Sequence, residues 1–233
     1  MDAGRIRRRT VMLYPGDAVA VARNAAALTQ LARATDGIRI EVADAGDAAV
    51  PGTLIDRYEP HHLIVVAGAS PLLRPLHQHT WETFSANWNT DVRIAFHWLR
   101  EALLTPLRPG ARVIVISSGA ALNGSPLSGG YAGAKATQRF ITAYAQDEAQ
   151  RAGLSIGFTA VLPQITPATD LGLPAVHAYA ARGGQSVHDY LQQLGDPLTP
   201  ATAGTALVEL AQADAAAIAP AYRLTSAGLH ELG

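Results

Sequence analysis

Three short apolar runs rich in β-branched residues stand out in the chain, and we predict that each is a buried strand. They are IRIEVA (38–43), HLIVVAG (62–68) and RVIVIS (112–117). Because none of them alternates strictly between apolar and polar residues, both faces of the sheet are expected to be covered. VAVAR (19–23) and IGFTAVLP (156–163) are predicted as further strands.

The stretches between these strands carry apolar residues at helical spacing. We predict helices over 25–34, 91–104 and 131–153, and the last of them ends at a glycine. Alternating strands and helices predict an α/β fold with a mostly parallel sheet. Since no linker or repeat interrupts the pattern, the whole chain, 1–233, is predicted to be a single domain.

Composition narrows the function classes. The chain has 233 residues, of which 48% are hydrophobic, a net charge of −1 and no cysteine. Near-neutral charge argues against nucleic-acid and anionic-lipid partners, and the lack of cysteine excludes disulfides and a thiol nucleophile. No apolar stretch is long enough for a membrane span or a signal peptide, so a cytoplasmic protein is expected. The histidines at 61–62 and 77–79 lack the spacing of a metal site, and no metal is predicted.

A tyrosine and a lysine four residues apart, Tyr131 and Lys135, share one face of the predicted helix 131–153. A free phenol is a poor base at neutral pH, but a nearby ammonium group favours its ionised form. The pair is therefore suited to proton transfer. The small residues around it, including Gly129 and Gly130, are expected to let a ligand approach the start of the helix.

Two other polar residues belong to the same prediction. Ser118 directly follows the strand 112–117, and ligand sites in open α/β sheets lie at the carboxyl ends of strands. Asn89 lies at the predicted start of the helix 91–104.

The chain resembles the short-chain dehydrogenase/reductase superfamily over roughly residues 18 to 230. The matching features are VVAG (65–68), Asn89, Ser118, the Tyr131–Lys135 pair and LPQIT (162–166). The resemblance implies a Rossmann-like, doubly wound α/β fold. It also implies roles: Tyr131 as catalytic acid and base, Ser118 as partner of the substrate oxygen, Lys135 as support for the phenolate and binder of ribose, and Asn89 as support for a proton relay. If a nucleotide binds, the resemblance implies contacts from Arg23, Asp44, Ala67, Gly68, Lys135 and Thr166.

The beginning of the chain departs from that family. The family's glycine-rich turn and the helix after it hold the pyrophosphate of a dinucleotide, but no Gly-x-x-x-Gly-x-Gly occurs anywhere in this sequence. We therefore expect an abbreviated N-terminus and no nucleotide cofactor, or NADP(H) if there is one. Val65, Val66 and Gln164 are smaller departures from the family pattern.

Three arrangements of the N-terminus are open. Residues 18–35 are the first helix and 38–43 the second strand, or residues 1–14 are a remnant helix with the first strand absent. In the third arrangement, TVMLY (10–14) and AVAVAR (18–23) form an antiparallel hairpin that fills the missing strand position. We favour the hairpin, with the first arrangement close behind it.

Residues 170–198 are predicted to form a lid of two short helices over the substrate. Its apolar and aromatic character indicates a largely apolar small-molecule substrate. Four lid residues are candidates for contact with it: His177, Tyr179, His188 and Tyr190. Apolar residues on more than one face of the helices 91–104 and 131–152 predict a homodimer or homotetramer.

Three functions are compatible with these features. The favoured one is an enzyme with Ser–Tyr–Lys acid–base chemistry on a carbonyl or hydroxyl substrate, but without redox activity, such as a dehydratase, an isomerase, an eliminating enzyme or a cyclase. The alternative is an NADP-dependent ketoreductase or alcohol dehydrogenase. A non-catalytic binding protein is the second alternative.

Overall fold

The computed structural model describes residues 10–14, 17–213 and 218–232, and these residues build one eight-stranded sheet. The strands are β1 (Thr10–Tyr14), β2 (Asp17–Ala22), β3 (Ile38–Val42), β4 (His62–Val65), β5 (Arg112–Ile116), β6 (Gly157–Pro163), β7 (Ala221–Thr225) and β8 (Gly228–Leu232). They lie in the order β3-β2-β1-β4-β5-β6-β7-β8. This is the predicted α/β class with a mostly parallel sheet.

Nine α-helices of the described residues connect or flank these strands. They are α1 (Ala25–Ala34), α2 (Val50–Tyr58), α3 (Trp81–Asn87), α4 (Arg93–Leu104), α5 (Ala120–Asn123), α6 (Tyr131–Arg151), α7 (Gly172–Arg182), α8 (Val187–Leu194) and α9 (Pro200–Gln212). A 3₁₀ turn, Leu76–Gln78, precedes α3, and a π-helical turn, Trp88–Val92, joins α3 to α4.

Two apolar cores cover the two faces of the sheet. Leu63 and Val65 of β4 point into the core that α2, α4 and α6 complete, whereas Ile64 points into the core beneath α9. Successive residues of a strand face opposite sides of its sheet, so this split confirms the predicted burial of both faces. Among the described helices, none is long and apolar enough to cross a membrane.

The start of the chain forms the hairpin that we favoured. β1 pairs antiparallel with β2, from Thr10 opposite Val21 to Tyr14 opposite Asp17, and also antiparallel with β4. It thus fills the sheet position between β2 and β4. The first arrangement, which made residues 18–35 a helix, is wrong because Asp17–Ala22 form β2. An antiparallel neighbour needs only a short turn, whereas a parallel one needs a crossover of about a dozen residues or more, and only residues 15–16 separate β1 from β2. The turn residues 15–16 lie outside the described residues.

The direction of β1 determines where the chain enters the sheet. Because β1 is antiparallel, its first residue, Thr10, is level with Val21 near the carboxyl end of β2. The chain therefore enters β1 at the edge of the sheet where β2, β4 and β5 end. Residues 1–9, which include four arginines, lie outside the described residues.

His62, the first residue of β4, makes stability sensitive to acid. It is half-buried, its Nδ1 has no hydrogen-bond partner among the described residues, and burial together with the nearby Arg112 lowers its pKa. A histidine whose pKa is lowered by folding binds a proton less readily in the folded than in the unfolded protein. The free energy of unfolding is therefore highest at pH values above the ordinary pKa of about 6.5 and falls as the pH drops below it. We expect the free energy of unfolding to drop between about pH 7.5 and 5.5, and the drop to be smaller in His62→Gln.

Urea denaturation at the two pH values measures this effect. His177→Gln changes an exposed histidine and serves as the control, with the same drop as the parent protein. An equal drop in His62→Gln and in the parent would contradict the assignment.

Candidate active site

Three of the predicted site residues meet at the carboxyl edge of the sheet. Ser118 follows β5 after one intervening residue, Tyr131 is the first residue of α6, and Lys135 lies one turn further along this helix. All three line a cavity of about 1450 Å³. The position agrees with the rule that ligands bind beyond the carboxyl ends of parallel strands.

The phenol of Tyr131 is placed to act on a ligand. The residue is only 9% exposed, and its hydroxyl makes no hydrogen bond to any described residue. The Ser118 hydroxyl oxygen accepts a hydrogen bond from the backbone N–H of Ala120 at 3.2 Å, which leaves its own hydrogen free to be donated. A ligand oxygen in the cavity would therefore meet two hydroxyl groups without competition from the protein.

Lys135 is the single lysine of the chain and is almost completely buried. Its Nζ lies 5.7 Å from the centre of the Tyr131 ring. It donates to the backbone oxygen of Ile116 at 3.3 Å and to Oε1 of Gln138 at 2.9 Å, and it pairs with Oδ2 of Asp91 at 3.3 Å. The ammonium group therefore has a protein partner for each of its three hydrogens.

Asp91 and Asn87, which sequence reasoning missed, fix the loop after β4. Oδ1 of Asp91 accepts from the backbone N–H of Ala69 at 2.6 Å, and the Asn87 amide donates to the backbone oxygen of Ala69 at 2.7 Å. Both side chains are 1% exposed. An acidic residue at the head of the apolar run VRIAFHWL was the available signal, since a buried charge requires a specific partner.

Asn89 does not join the other three predicted residues. It is exposed, and its amide donates to the hydroxyl of Ser85 at 3.2 Å on the same helical stretch. The π-helical turn Trp88–Val92 changes the register of the helix, and Asp91 therefore faces Lys135 instead. Such turns are frequent at functional sites.

The glycines before Tyr131 serve packing rather than ligand approach. A Cβ on Gly130 would lie 2.4 Å from the backbone oxygen of Phe84, and one on Gly129 would lie 2.8 Å from the ring of His79. Gly129 also has a φ of 57°, in the region that favours glycine. The small residues thus bring α3 against the start of α6, which corrects the expectation that they make room for a ligand.

Three of the six predicted cofactor residues line the cavity, and three do not. Gly68, Lys135 and Thr166 line the cavity. Arg23 and Asp44, which follow β2 and β3, form an exposed ion pair at 3.7 Å and do not line it. Ala67 packs partly buried against the core beneath α4.

The region 170–198, which we predict to be a lid, contains the two expected helices, α7 and α8. Tyr179 and Tyr190 line the cavity, and their rings stack at 6.4 Å, whereas His177 and His188 are exposed and do not line it. Burial raises the pKa of the Tyr190 phenol, and Tyr179 adds a smaller contribution. The Tyr179 hydroxyl bonds to the hydroxyl of Ser125, which ties the lid to the loop before α6.

A match of the sequence to a family profile agrees with the geometry of this site. The family profile described as short chain dehydrogenase matches residues 9–179, well over half of the chain. The chain belongs to the short-chain dehydrogenase family. No curated protein sequence matches it.

Within the described residues, no group of three or more His, Cys, Asp or Glu side chains is placed to hold a metal ion.

Solved structures of this family share the fold. An NAD+-bound xylitol dehydrogenase is 17% identical, with a TM-score of 0.74 over 87% of this chain and 85% of that one. A 3-ketoacyl-(acyl-carrier-protein) reductase from Brucella melitensis, complexed with NADH, is 17% identical, with a TM-score of 0.67 over 87% and 83%. A short-chain type dehydrogenase/reductase from Mycobacterium ulcerans is 20% identical, with a TM-score of 0.70 over 88% and 77%.

These structures contradict the prediction that the protein uses no nucleotide cofactor. Similar chains hold NAD+, NADP or NADH, and they are dehydrogenases and reductases. The prediction rested on the missing glycine-rich turn alone. The comparisons also fit the alternative function, an NADP-linked ketoreductase, better than the redox-silent enzyme that we favoured.

The described residues fit the nicotinamide half of such a cofactor. The cavity of about 1450 Å³ exceeds the roughly 300–1,000 Å³ of ordinary ligand pockets, so a ring, its ribose and a substrate fit together. Gly68 and Thr166 line this cavity. The Thr166 hydroxyl donates to the backbone oxygen of Gln164 at 3.2 Å, and its oxygen can still accept a hydrogen bond from a ligand. The helix that follows β2, α1, is capped by the Asn24 side chain, which accepts from the backbone N–H of Ala27 at 3.0 Å.

Proposed function

We propose that the protein is an NAD(P)-dependent oxidoreductase that interconverts a carbonyl compound and an alcohol. The observation that carries the proposal is the convergence of Ser118, Tyr131 and Lys135 on one cavity, with the Tyr131 hydroxyl making no bond to a described residue. Family membership and the dehydrogenases and reductases among similar structures support it.

The proposed mechanism assigns proton transfer to Tyr131. In the direction of reduction, the hydroxyls of Ser118 and Tyr131 both donate hydrogen bonds to the substrate carbonyl oxygen, and Tyr131 gives its proton to that oxygen. The positive charge of Lys135, 5.7 Å from the ring centre, stabilises the phenolate that remains. The hydride for the carbonyl carbon would come from NADPH or NADH, when one of them is bound. In the reverse direction Tyr131 accepts the proton of the alcohol.

The cavity favours a largely apolar substrate. Its wall beyond the catalytic residues is formed mainly by aliphatic and proline side chains from α5, the lid and α9, such as Leu122, Leu171, Leu191, Leu194 and Leu207. Burial of apolar substrate surface supplies binding free energy, while the few polar groups fix the orientation of the carbonyl.

A binding and turnover experiment tests the proposal. Calorimetry of the purified protein with NADPH and with NADH gives the dissociation constants, and a panel of alkyl and aryl ketones is then screened for consumption of the reduced nucleotide. We expect one nucleotide to bind and at least some apolar ketones to be reduced. Absence of binding to both nucleotides would refute the proposal.

We also propose that the protein is a homo-oligomer. On the neighbouring helices α4 and α6, Phe96, Phe140 and Tyr144 are 51%, 54% and 63% exposed. Ile94 and Trp98 of α4 are buried in the core, so they do not belong to this surface. Exposed aromatic patches of this kind mark association surfaces.

Light scattering at micromolar concentration is expected to show a dimer or tetramer, and Phe140→Glu is expected to shift it toward monomer. Leu173→Glu, which changes an exposed apolar residue of the lid, is the matched control and keeps the parent's mass. A monomeric parent protein would contradict the prediction.

A further inference from the structure

The ion pair between Asp91 and Lys135 is buried on both sides. The side chains are 1% and 6% exposed, and the atoms Oδ2 and Nζ are 3.3 Å apart. Removing two charges from water is costly, so such a pair persists only where geometry and further hydrogen bonds compensate for the loss of hydration. Here the carboxylate also accepts from Ala69, and the ammonium also donates to Ile116 and Gln138.

The contacts of Lys135 leave nothing for a ligand. Its three hydrogens already point to three protein oxygens, on Asp91, Gln138 and Ile116. A ribose hydroxyl can accept a hydrogen bond from Lys135 only if the ammonium group breaks one of these three contacts. Gln138 is itself fixed, because its amide donates to the backbone oxygen of Asp91 at 2.9 Å.

The two partners differ in their freedom to move. Asp91 is short, it holds the backbone N–H of Ala69, and a Cβ on the adjoining Gly68 would lie 2.8 Å from its carboxylate atoms. Its position is therefore fixed by the loop after β4. Both residues line the cavity, but Lys135 has the longer and more flexible side chain, so it is the partner that can turn toward a ligand.

We propose that Asp91 is a positioning residue that holds Lys135 on the protein side of the site. Nucleotide binding must then exchange the Asp91 contact of Lys135 for a ribose contact, and the carboxylate lowers nucleotide affinity. The inference rests on the proposed use of NAD(P) and deepens it, because it names one side chain, Asp91, that lowers the affinity for the cofactor. While the pair is closed, it also keeps the ammonium group beside Tyr131.

Asp91→Asn tests the inference, since the amide keeps the shape and can still accept from Ala69. We expect the dissociation constant for NADPH, and for NADH, to fall by about tenfold, as hydrogen bonds to a charged group are among the stronger ones. Asp147→Asn, the same change on an exposed position of α6, is the control and leaves the constant unchanged. In the double variant Asp91→Asn, Lys135→Met the gain disappears, because the released donor is gone.

A second readout uses the fact that Lys135 is the single lysine of the chain. Isotope-labelled lysine gives one side-chain ammonium signal in NMR spectra. We expect this signal to shift when NADPH is added to the parent protein. In Asp91→Asn without nucleotide, we expect it to exchange with water faster than in the parent, since the ion pair is gone.

Several results would overturn the inference. One is a folded Asp91→Asn variant that binds NADPH with the parent's affinity or more weakly. Another is a double variant that keeps the gain in NADPH affinity. If Asp91→Asn does not fold, Asp91→Ser is measured by the same criteria. If neither the parent nor the variant binds a nucleotide, the proposed function itself fails. If both bind NADPH with the same affinity, the proposed function stands and only the inference about Asp91 fails.

Discussion

Tyr131→Phe is expected to lower the turnover number about a thousandfold, within the range of about 10² to 10⁴ that a positioned acid or base contributes. The change removes the proton donor and keeps the ring. Because the hydroxyl has no hydrogen-bond partner among the described residues and the ring is only 9% exposed, the fold and the nucleotide affinity are expected to stay unchanged. Steady-state kinetics with a ketone substrate, with circular dichroism as the check on folding, measures the effect.

Tyr144→Phe is the matched control for this variant. Tyr144 lies on the same helix, α6, but is 63% exposed and does not line the cavity. We expect it to turn over substrate at the parent's rate. Near-normal turnover by Tyr131→Phe would show that another group transfers the proton and would remove the site assignment.

Lys135→Met is expected to lower the free energy of unfolding by about 3–5 kcal/mol, the usual effect of removing one partner of a buried ion pair. The remaining Asp91 carboxyl group is 1% exposed and would have no cationic partner to compensate for its lost hydration. Turnover is expected to fall as well, since the phenolate of Tyr131 loses its nearest cation. Urea denaturation at neutral pH measures the loss of stability.

The double variant Asp91→Asn, Lys135→Met separates the charge effect from lost packing. It removes the unpaired carboxylate, and we expect it to recover most of the lost stability while turnover stays low. Equal destabilisation of the single and double variants would mean that the methylene packing of Lys135, rather than the ion pair, accounts for the loss.

Much of the fold was predictable because the buried strands have a strong local signal. The apolar runs at 38–43, 62–68 and 112–117 became β3, β4 and β5 within a few residues. The hairpin was predictable because only three residues separate TVMLY (10–14) from AVAVAR (18–23), which is enough for a tight turn but not for a crossover. β7 and β8 were not predicted, since their short mixed sequences gain strand structure only by pairing with β6 and with each other.

The candidate site was predictable only in part. Ser118, Tyr131 and Lys135 were found because a strand end and one helical turn bring them together, and both are local features. The place of Asn89 was mispredicted because the π-helical turn at Trp88–Val92 shifts the register, which a regular helical period does not reveal. Asp91 was not predicted as the partner of Lys135, because their contact depends on the packing of α6 against that turn.

The most direct measurement of the central claim follows the hydride itself. The protein is incubated with NADPH or NADH that carries deuterium at the transferable position, together with a ketone that the screen identifies, and the product is analysed by mass spectrometry. The account predicts that the alcohol carries deuterium at its carbinol carbon in the parent protein and that almost none forms with Tyr131→Phe. Product without deuterium, or the same yield from both proteins, would contradict it.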